Sequence, residues 1–248
     1  MSEELKGNQF EGKETYVKDV FDEIAEYYDK MNEIMSIGMV KGWHKFMFKK
    51  AGDITGFKVC DIGCGTGELS FMAAERVGPT GEVIGIDLTP AMLRMAEKKM
   101  ASLELPVKVD FREGDALDLQ IEDNTFDLVT SGYMLRNVTD IRQAISEMYR
   151  VLKPGAVIAV AELSKPKNRI VRWGHKIYLK KIIPIWGRKY DKGKLIDGKQ
   201  PAYDWLTSSL EGFPHGNDMV AIFKDVGFKE MKFYTKSMGA VNIYVGRK

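Results

Sequence analysis

Three glycines alternate through the segment Val59-Cys60-Asp61-Ile62-Gly63-Cys64-Gly65-Thr66-Gly67-Glu68. Bare backbone at Gly63, Gly65 and Gly67 can turn sharply and let a ligand lie directly on the main chain at a helix N-terminus. Twenty positions beyond Gly67 a second apolar run, Val83 to Ile86, ends at Asp87-Leu88. A carboxylate placed there can accept both hydroxyls of a ribose. The dinucleotide fingerprint would require glycine at position 68, where this chain has Glu68, and a diphosphate would meet a second negative charge. The chemistry indicated is therefore recognition of a nucleoside, with Asp61, Gly63, Gly65, Thr66, Gly67, Asp87 and Leu88 as its binding residues. Two further sets join them. Asp115, in Gly114-Asp115-Ala116, can accept from an adenine amine or serve as a plain turn residue, and Ser131 ends another apolar run.

These residues need strands to aim them and helices to brace the strands. Phe57 to Ile62, Val83 to Asp87, Val107 to Phe111, Phe126 to Ser131 and Val157 to Leu163 read as five strands, separated by four helical patterns. Strands alternating with helices specify a parallel sheet covered on both faces, and ligands in such sheets bind beyond the strand C-terminal ends. Asp61, Gly63, Asp87, Asp115 and Ser131 all fall there. A helix over about 16–30 precedes this frame and a helix pair with a loop follows it, forming a helical cap over 16–52. Helices from about Pro201 and around Met219 lead to two closing strands, Lys229 to Thr235 and Ala240 to Val245. Residues 1–15 read as a flexible tail and 16–248 as one domain.

The formal net charge of +2 argues against a protein built to grip nucleic acid. That average conceals an insert over 165–200, in which nine lysines and three arginines between Lys165 and Lys199 oppose only Asp191 and Asp197. Its cations alternate with Ile170, Trp173, Ile177, Ile182 and Trp186, a composition that suits a solvated lid, a cover for a lipophilic substrate, or a transient contact with an anionic membrane. The two cysteines and three histidines have no ligand-like spacing, so no metal is expected. A polar N-terminus without an apolar signal core, and free thiols, fit a cytoplasmic protein, peripheral on the inner face of the cell membrane if the insert docks there. A homodimer is compatible with the sequence.

The pattern D-x-G-x-G-x-G with an acid closing the next strand resembles class I S-adenosylmethionine-dependent methyltransferases. Longer stretches are more particular. Tyr28-Asp29-Lys30-Met31-Asn32 with Ser36-Ile37-Gly38, Arg136-Asn137-Val138-Thr139-Asp140, Glu162-Leu163-Ser164-Lys165-Pro166 and Tyr203-Asp204-Trp205-Leu206 resemble the ubiquinone/menaquinone biosynthesis C-methyltransferase family from about residue 16 to 246. The chain departs from that family's usual pattern at Cys64, at Trp205 and at Asn242-Ile243-Tyr244. The resemblance implies a Rossmann-like α/β fold, doubly wound around a mostly parallel seven-stranded sheet with an antiparallel last strand. It implies S-adenosylmethionine as methyl donor and a prenylated quinol as acceptor, demethylmenaquinol above all, methylated at a ring carbon. It also implies catalytic roles for three residues: Arg136 would orient the ring hydroxyl or help deprotonate it, while Asn137 and Tyr28 hold the oxygens. Another small lipophilic or phenolic acceptor, a nucleic-acid substrate, or a non-catalytic sensor of the cofactor would keep the same glycines and acids.

Overall fold

The alternating β-favouring and amphipathic segments assemble around a single seven-stranded sheet in the computed structural model, which describes residues 12–248. The strands are β1 (Lys58–Ile62), β2 (Glu82–Asp87), β3 (Val109–Glu113), β4 (Phe126–Gly132), β5 (Leu152–Leu163), β6 (Lys229–Lys236) and β7 (Val241–Arg247). Their spatial order is β3-β2-β1-β4-β5-β7-β6, parallel from β3 to β5, with β7 inserted antiparallel between β5 and β6. The order reverses beside β1, so β1 and β4 diverge in their connections and leave a crevice at their C-terminal ends.

Ten α-helices accompany the sheet among the described residues: α1 (Lys13–Ile24), α2 (Tyr28–Ser36), α3 (Val40–Ala51), α4 (Glu68–Val77), α5 (Pro90–Met100), α6 (Ile141–Val151), α7 (Arg169–Ile177), α8 (Ile183–Asp191), α9 (Ala202–Ser208) and α10 (Asn217–Val226). Side chains alternate across each strand, so Val59, Val83, Leu128 and Ala159 pack under α3 and α4, while Cys60, Ile62, Val129 and Ile158 face α6 and α10. Fully buried side chains such as Ile62 and Leu128 each contribute about 1.5–3 kcal/mol relative to exposure. A third cluster joins α1 and α9 through Tyr16, Val20, Tyr203 and Trp205, and fixes the N-terminal cap over the crevice.

Several boundaries differ from the sequence-based expectation. The tail expected over 1–15 lies outside the described residues as far as residue 11, but α1 already starts at Lys13. Its side chain is 2% exposed and its Nζ donates to the Val138 carbonyl at 2.7 Å. The helix expected over 16–30 is broken by a tight turn at Ala25–Tyr27, after which the chain resumes as α2. The break resets the helical phase, so Met31 enters the core while Tyr28 faces the crevice. β3 starts two residues late because its pairing with β2 begins at Val83 and Val109. β5 starts early because Leu152 pairs with Phe126 ahead of an irregularity in the ladder. The insert forms α7 and α8, joined by a widened helical turn at Tyr178–Ile182. Among the described residues no helix is long and apolar enough to cross a membrane.

Candidate active site

The turn after β1 is fastened to β2 before any ligand arrives. The amides of Gly63 and Cys64 both donate to the Ile86 carbonyl, at 2.8 and 3.0 Å. The amide of Gly65 donates to Asp87 Oδ2 at 2.8 Å, and Asp87 Oδ1 accepts from the Thr89 amide at 2.9 Å. Three amides that could have formed an anion nest are thus committed internally, which disfavours a diphosphate here. What remains is a carboxylate at the rim, each oxygen with a lone pair left for a hydroxyl. Burial and nearby acids raise the Asp87 pKa against the pull of those amides. Positive φ angles at Gly63 (69°), Gly65 (53°) and Gly67 (87°) explain the three glycines. At Gly63 a Cβ would also overlap Met134, which would have to shift to admit a side chain.

A first cavity opens over this turn, and the sequence-selected Gly63, Gly65, Asp87, Leu88, Gly114, Asp115, Ala116, Asn137 and Tyr28 all line it. Phe21 and Met92 supply apolar walls. Asp115 Oδ1 accepts from the Leu117 amide at 2.9 Å, so it shapes its own turn as well as facing the cavity. Four of the residues selected for the cofactor do not line it. Asp61 lies on the α3/α4 face of β1 and is fully buried, accepting from Ser70 Oγ at 2.6 Å and Thr130 Oγ1 at 2.9 Å. Desolvation pushes its pKa up to about 6. Ser131 Oγ donates to the Ile62 carbonyl at 2.7 Å, and Thr66 Oγ1 donates to Asp29 at 2.5 Å. Gly67 caps the start of α4, close to Phe71 and Phe111. The pleat turns Asp61 and Ser131 away from the crevice and Asp29 holds Thr66, so these residues brace the turn without lining the cavity.

A second cavity of about 440 Å³ adjoins the first, and Tyr28 and Tyr133 line both. Its walls are apolar, from Met35, Trp43, Leu163 and Val171, and α7 roofs it. Its polar groups are few. Arg136 lines it, and its Nη1 donates to the Tyr133 carbonyl and to Glu162 Oε2, the latter at 3.2 Å. Arg136 is 5% exposed and Glu162 0%. Burial raises the Glu162 pKa while Arg136 opposes that shift. Tyr28 is likewise raised by burial, with Asn32 and Arg136 pulling the other way. His44 is buried and held down to about 4 by desolvation.

Sequence reasoning selected Tyr28, Arg136 and Asn137, which line the two cavities, but assigned no role to Tyr133 or Glu162. A usable signal was present: Glu162 is the one acid in the apolar run Val157 to Leu163, and a buried charge in such a strand is retained with a partner or not at all. Among the described residues no group of three His, Cys, Asp or Glu is placed to hold a metal ion.

A glycine turn tied to a rim carboxylate, in a sheet with an antiparallel β7 and beside a large apolar cavity, defines a class I S-adenosylmethionine-dependent methyltransferase. Solved structures share this fold. A SAM-dependent methyltransferase from Aquifex aeolicus superposes with a TM-score of 0.60 at 20% identity, covering 82% of this chain and 88% of that one. Phosphoethanolamine N-methyltransferase 2 of Haemonchus contortus, in complex with S-adenosyl-L-methionine, gives 0.61 at 17%, over 84% of this chain and 52% of that one. Sequence relatives are nearer. The demethylmenaquinone methyltransferase of Symbiobacterium thermophilum is 37% identical over 241 residues, 96% of this chain and 94% of the relative. That of Desulfitobacterium hafniense is 36% identical over 249 residues, 100% of this chain and 96% of the relative. The model of the ubiE/COQ5 methyltransferase family matches residues 9–248, and the chain belongs to that family.

Proposed function

We propose that the protein transfers the methyl of S-adenosylmethionine to a ring carbon of a reduced prenylated quinol, converting demethylmenaquinol to menaquinol. The observation that carries this reading is the pair of cavities meeting at Tyr28 and Tyr133, one rimmed by Asp87 and the other apolar with a single buried cation. The cofactor suits the first cavity. Asp87 can accept from ribose hydroxyls, the space over Gly65 is open up to Tyr28 Cε1 at 3.8 Å, and the buried Asn137 Oδ1 has no partner within the protein. When bound, the cofactor supplies an activated methyl on a sulfonium.

The protein's own contribution is placement, exclusion of water and control of charge. Holding two reactants in line is worth roughly 7 to 11 kcal/mol. A ring carbon is nucleophilic only when an adjacent hydroxyl is deprotonated, and phenols titrate near pH ~10, so a cation must favour the phenolate. Arg136 supplies that charge, with Asn137 and Tyr28 orienting the oxygens at the junction. A quinone has no such hydroxyl and would not react.

The lid accounts for delivery of the substrate. Ile170 and Trp173 of α7 are 80% and 68% exposed, and Ile37 and Met238 at the cavity mouth 74% and 79%. These apolar side chains stand among Lys167, Arg169, Lys176 and Lys181, a mixture suited to an anionic membrane surface from which a prenylated ring enters the cavity. The enzyme is accordingly cytoplasmic and peripheral on the inner face of the cell membrane. The test is the lipid-quinone content of a host lacking its own quinone methyltransferase. Supplying this gene restores the methylated quinone, while accumulation of the demethylated form alone contradicts the reading.

A further inference from the structure

A third cavity, of about 230 Å³, lies between α2 and the lid, with Met31 and Ile34 on one side and Ile182 and Trp186 on the other. It adjoins the apolar second cavity, since Met35, Ile37, Tyr178 and Ile183 line both. Among the described residues that line it none is charged. Its one hydroxyl, on Tyr178, is spent on the carbonyls of Ile34 and Met35, at 3.3 Å each. No charged group is left to recognise a phosphate or a carboxylate, so hydrocarbon is the occupant that gains by entering.

The sequence builds this groove with a proline. Pro184 lacks the amide that would continue the lid helix, and its ring clashes with the carbonyl four residues back. The chain therefore widens at Tyr178–Ile182, where the Ile183 amide donates to the Tyr178 carbonyl five residues earlier. In a regular α-helix Ile183 would stand about 140° around the axis from Tyr178. The wider turn brings it back beneath Tyr178, so both side chains line both cavities. Widened turns of this kind are frequent at functional sites. Across the groove, Met31 and Met35 are unbranched and adapt to a chain of irregular shape.

Resting on the quinol reading above, we propose that this groove seats the quinol's prenyl tail beyond its first units, and that Ile34, Ile182 and Trp186 set the preference for tail length. With the ring against Arg136, a tail can leave the second cavity past the mouth at Ile37 and Met238 or through the passage at Tyr178 and Ile183. At the mouth Ile37 and Met238 are largely exposed, and a tail left there meets water. The groove is walled by Met31 and Ile183, both buried. Hydrocarbon gains in proportion to the area it removes from water, so each isoprene unit that enters tightens binding without touching the reacting atoms. Such binding is equal in ground and transition states, and it lowers KM without changing kcat.

The test uses the full chain with S-adenosylmethionine and two demethylmenaquinols, carrying one and four isoprene units, in a single detergent so that substrate partition is common to all variants. Ile34→Trp and Ile182→Trp fill the groove and Trp186→Ala strips one wall, with binding of S-adenosylhomocysteine measured to establish that the fold is intact. The wild type shows a KM at least about tenfold lower for the four-unit quinol than for the one-unit quinol. Each filling variant removes that preference by raising the four-unit KM, while kcat and the one-unit KM stay as in the wild type. Trp186→Ala weakens the preference about threefold. A wild type with equal KM for the two quinols, or a four-unit KM unchanged in both filling variants, means that the tail leaves by the mouth and overturns the proposal while the quinol reading stands. An equal rise in KM for both quinols, the mark of a lid that no longer closes, overturns it too. Sedimentation with anionic lipid vesicles separates the other source of hydrocarbon: vesicle binding lost in the filling variants with the tail preference intact makes the groove a bilayer contact and again overturns the proposal. A wild type that methylates neither quinol overturns both readings.

Discussion

Replacing Asp87 with alanine tests whether the first cavity is held for a ribose. The carboxylate accepts from the Gly65 and Thr89 amides at 2.8 and 2.9 Å and keeps one lone pair per oxygen for the ligand. Two charge-assisted hydrogen bonds to ribose hydroxyls are worth about 1.5–3 kcal/mol each. Water readmitted to the partly exposed rim recovers some of this, and a net loss of about 3 kcal/mol corresponds to roughly a 100-fold rise in Kd. The amides are near that rim, so the cost to folding is smaller than the cost to binding. Isothermal titration with S-adenosylhomocysteine and S-adenosylmethionine, alongside thermal unfolding, measures both. If the ribose contact dominates, the two ligands lose affinity equally, because they share the ribose and differ in the sulfonium. Asp87→Asn, which keeps one acceptor, falls between wild type and alanine. Wild-type affinity in a folded Asp87→Ala protein would refute the assignment.

Gly63→Ala places a Cβ against Met134 at a left-handed φ, so strain of about 1–2 kcal/mol and overpacking of about 1–3 kcal/mol add in a denaturant titration. Gly65→Ala meets only Tyr28 Cε1 at 3.8 Å and costs the strain alone. Asp61, with its pKa raised to about 6 in the folded state, contributes stability that is present below its unfolded value and lost as pH rises through 6. The loss amounts to about 3 kcal/mol, and the stability difference between wild type and Asp61→Asn should change by that amount over this window. Trp173→Glu with Ile170→Glu reduces sedimentation with anionic lipid vesicles while leaving binding of S-adenosylhomocysteine unchanged, and equal sedimentation would dissociate the lid from membrane contact.

The alternation of strands with helices and the glycine turn were legible because their causes are local. Periodicity separates strand from helix, and spacing from Gly67 to Asp87 reports one βαβ unit. Asp61 and Ser131 do not line the cavity, because a strand-end position does not fix a side chain's direction. Asp61 sits one residue before Ile62, and the pleat turns it toward Ser70. Thr66 was drawn off by Asp29, a partner 37 residues away that no local pattern announces. Tyr133 and Glu162 come together only through the pairing of β4 with β5 and the return of the chain at Arg136, a long-range relation. The break at Ala25–Tyr27 was illegible for a similar reason, since residues on both sides favour helix and the packing of Met31 decides the phase.

The central claim is that these adjoining cavities bring a methyl donor to the ring of a reduced quinol. Purified protein, S-adenosylmethionine carrying an isotopically labelled methyl, and demethylmenaquinone kept either reduced or oxidised provide the direct measurement, read by mass spectrometry of the extracted lipid. Label on the ring carbon in the reduced sample, and none in the oxidised one, is the expected result. Equal labelling of both, or none in either from protein that binds S-adenosylhomocysteine, would contradict the account.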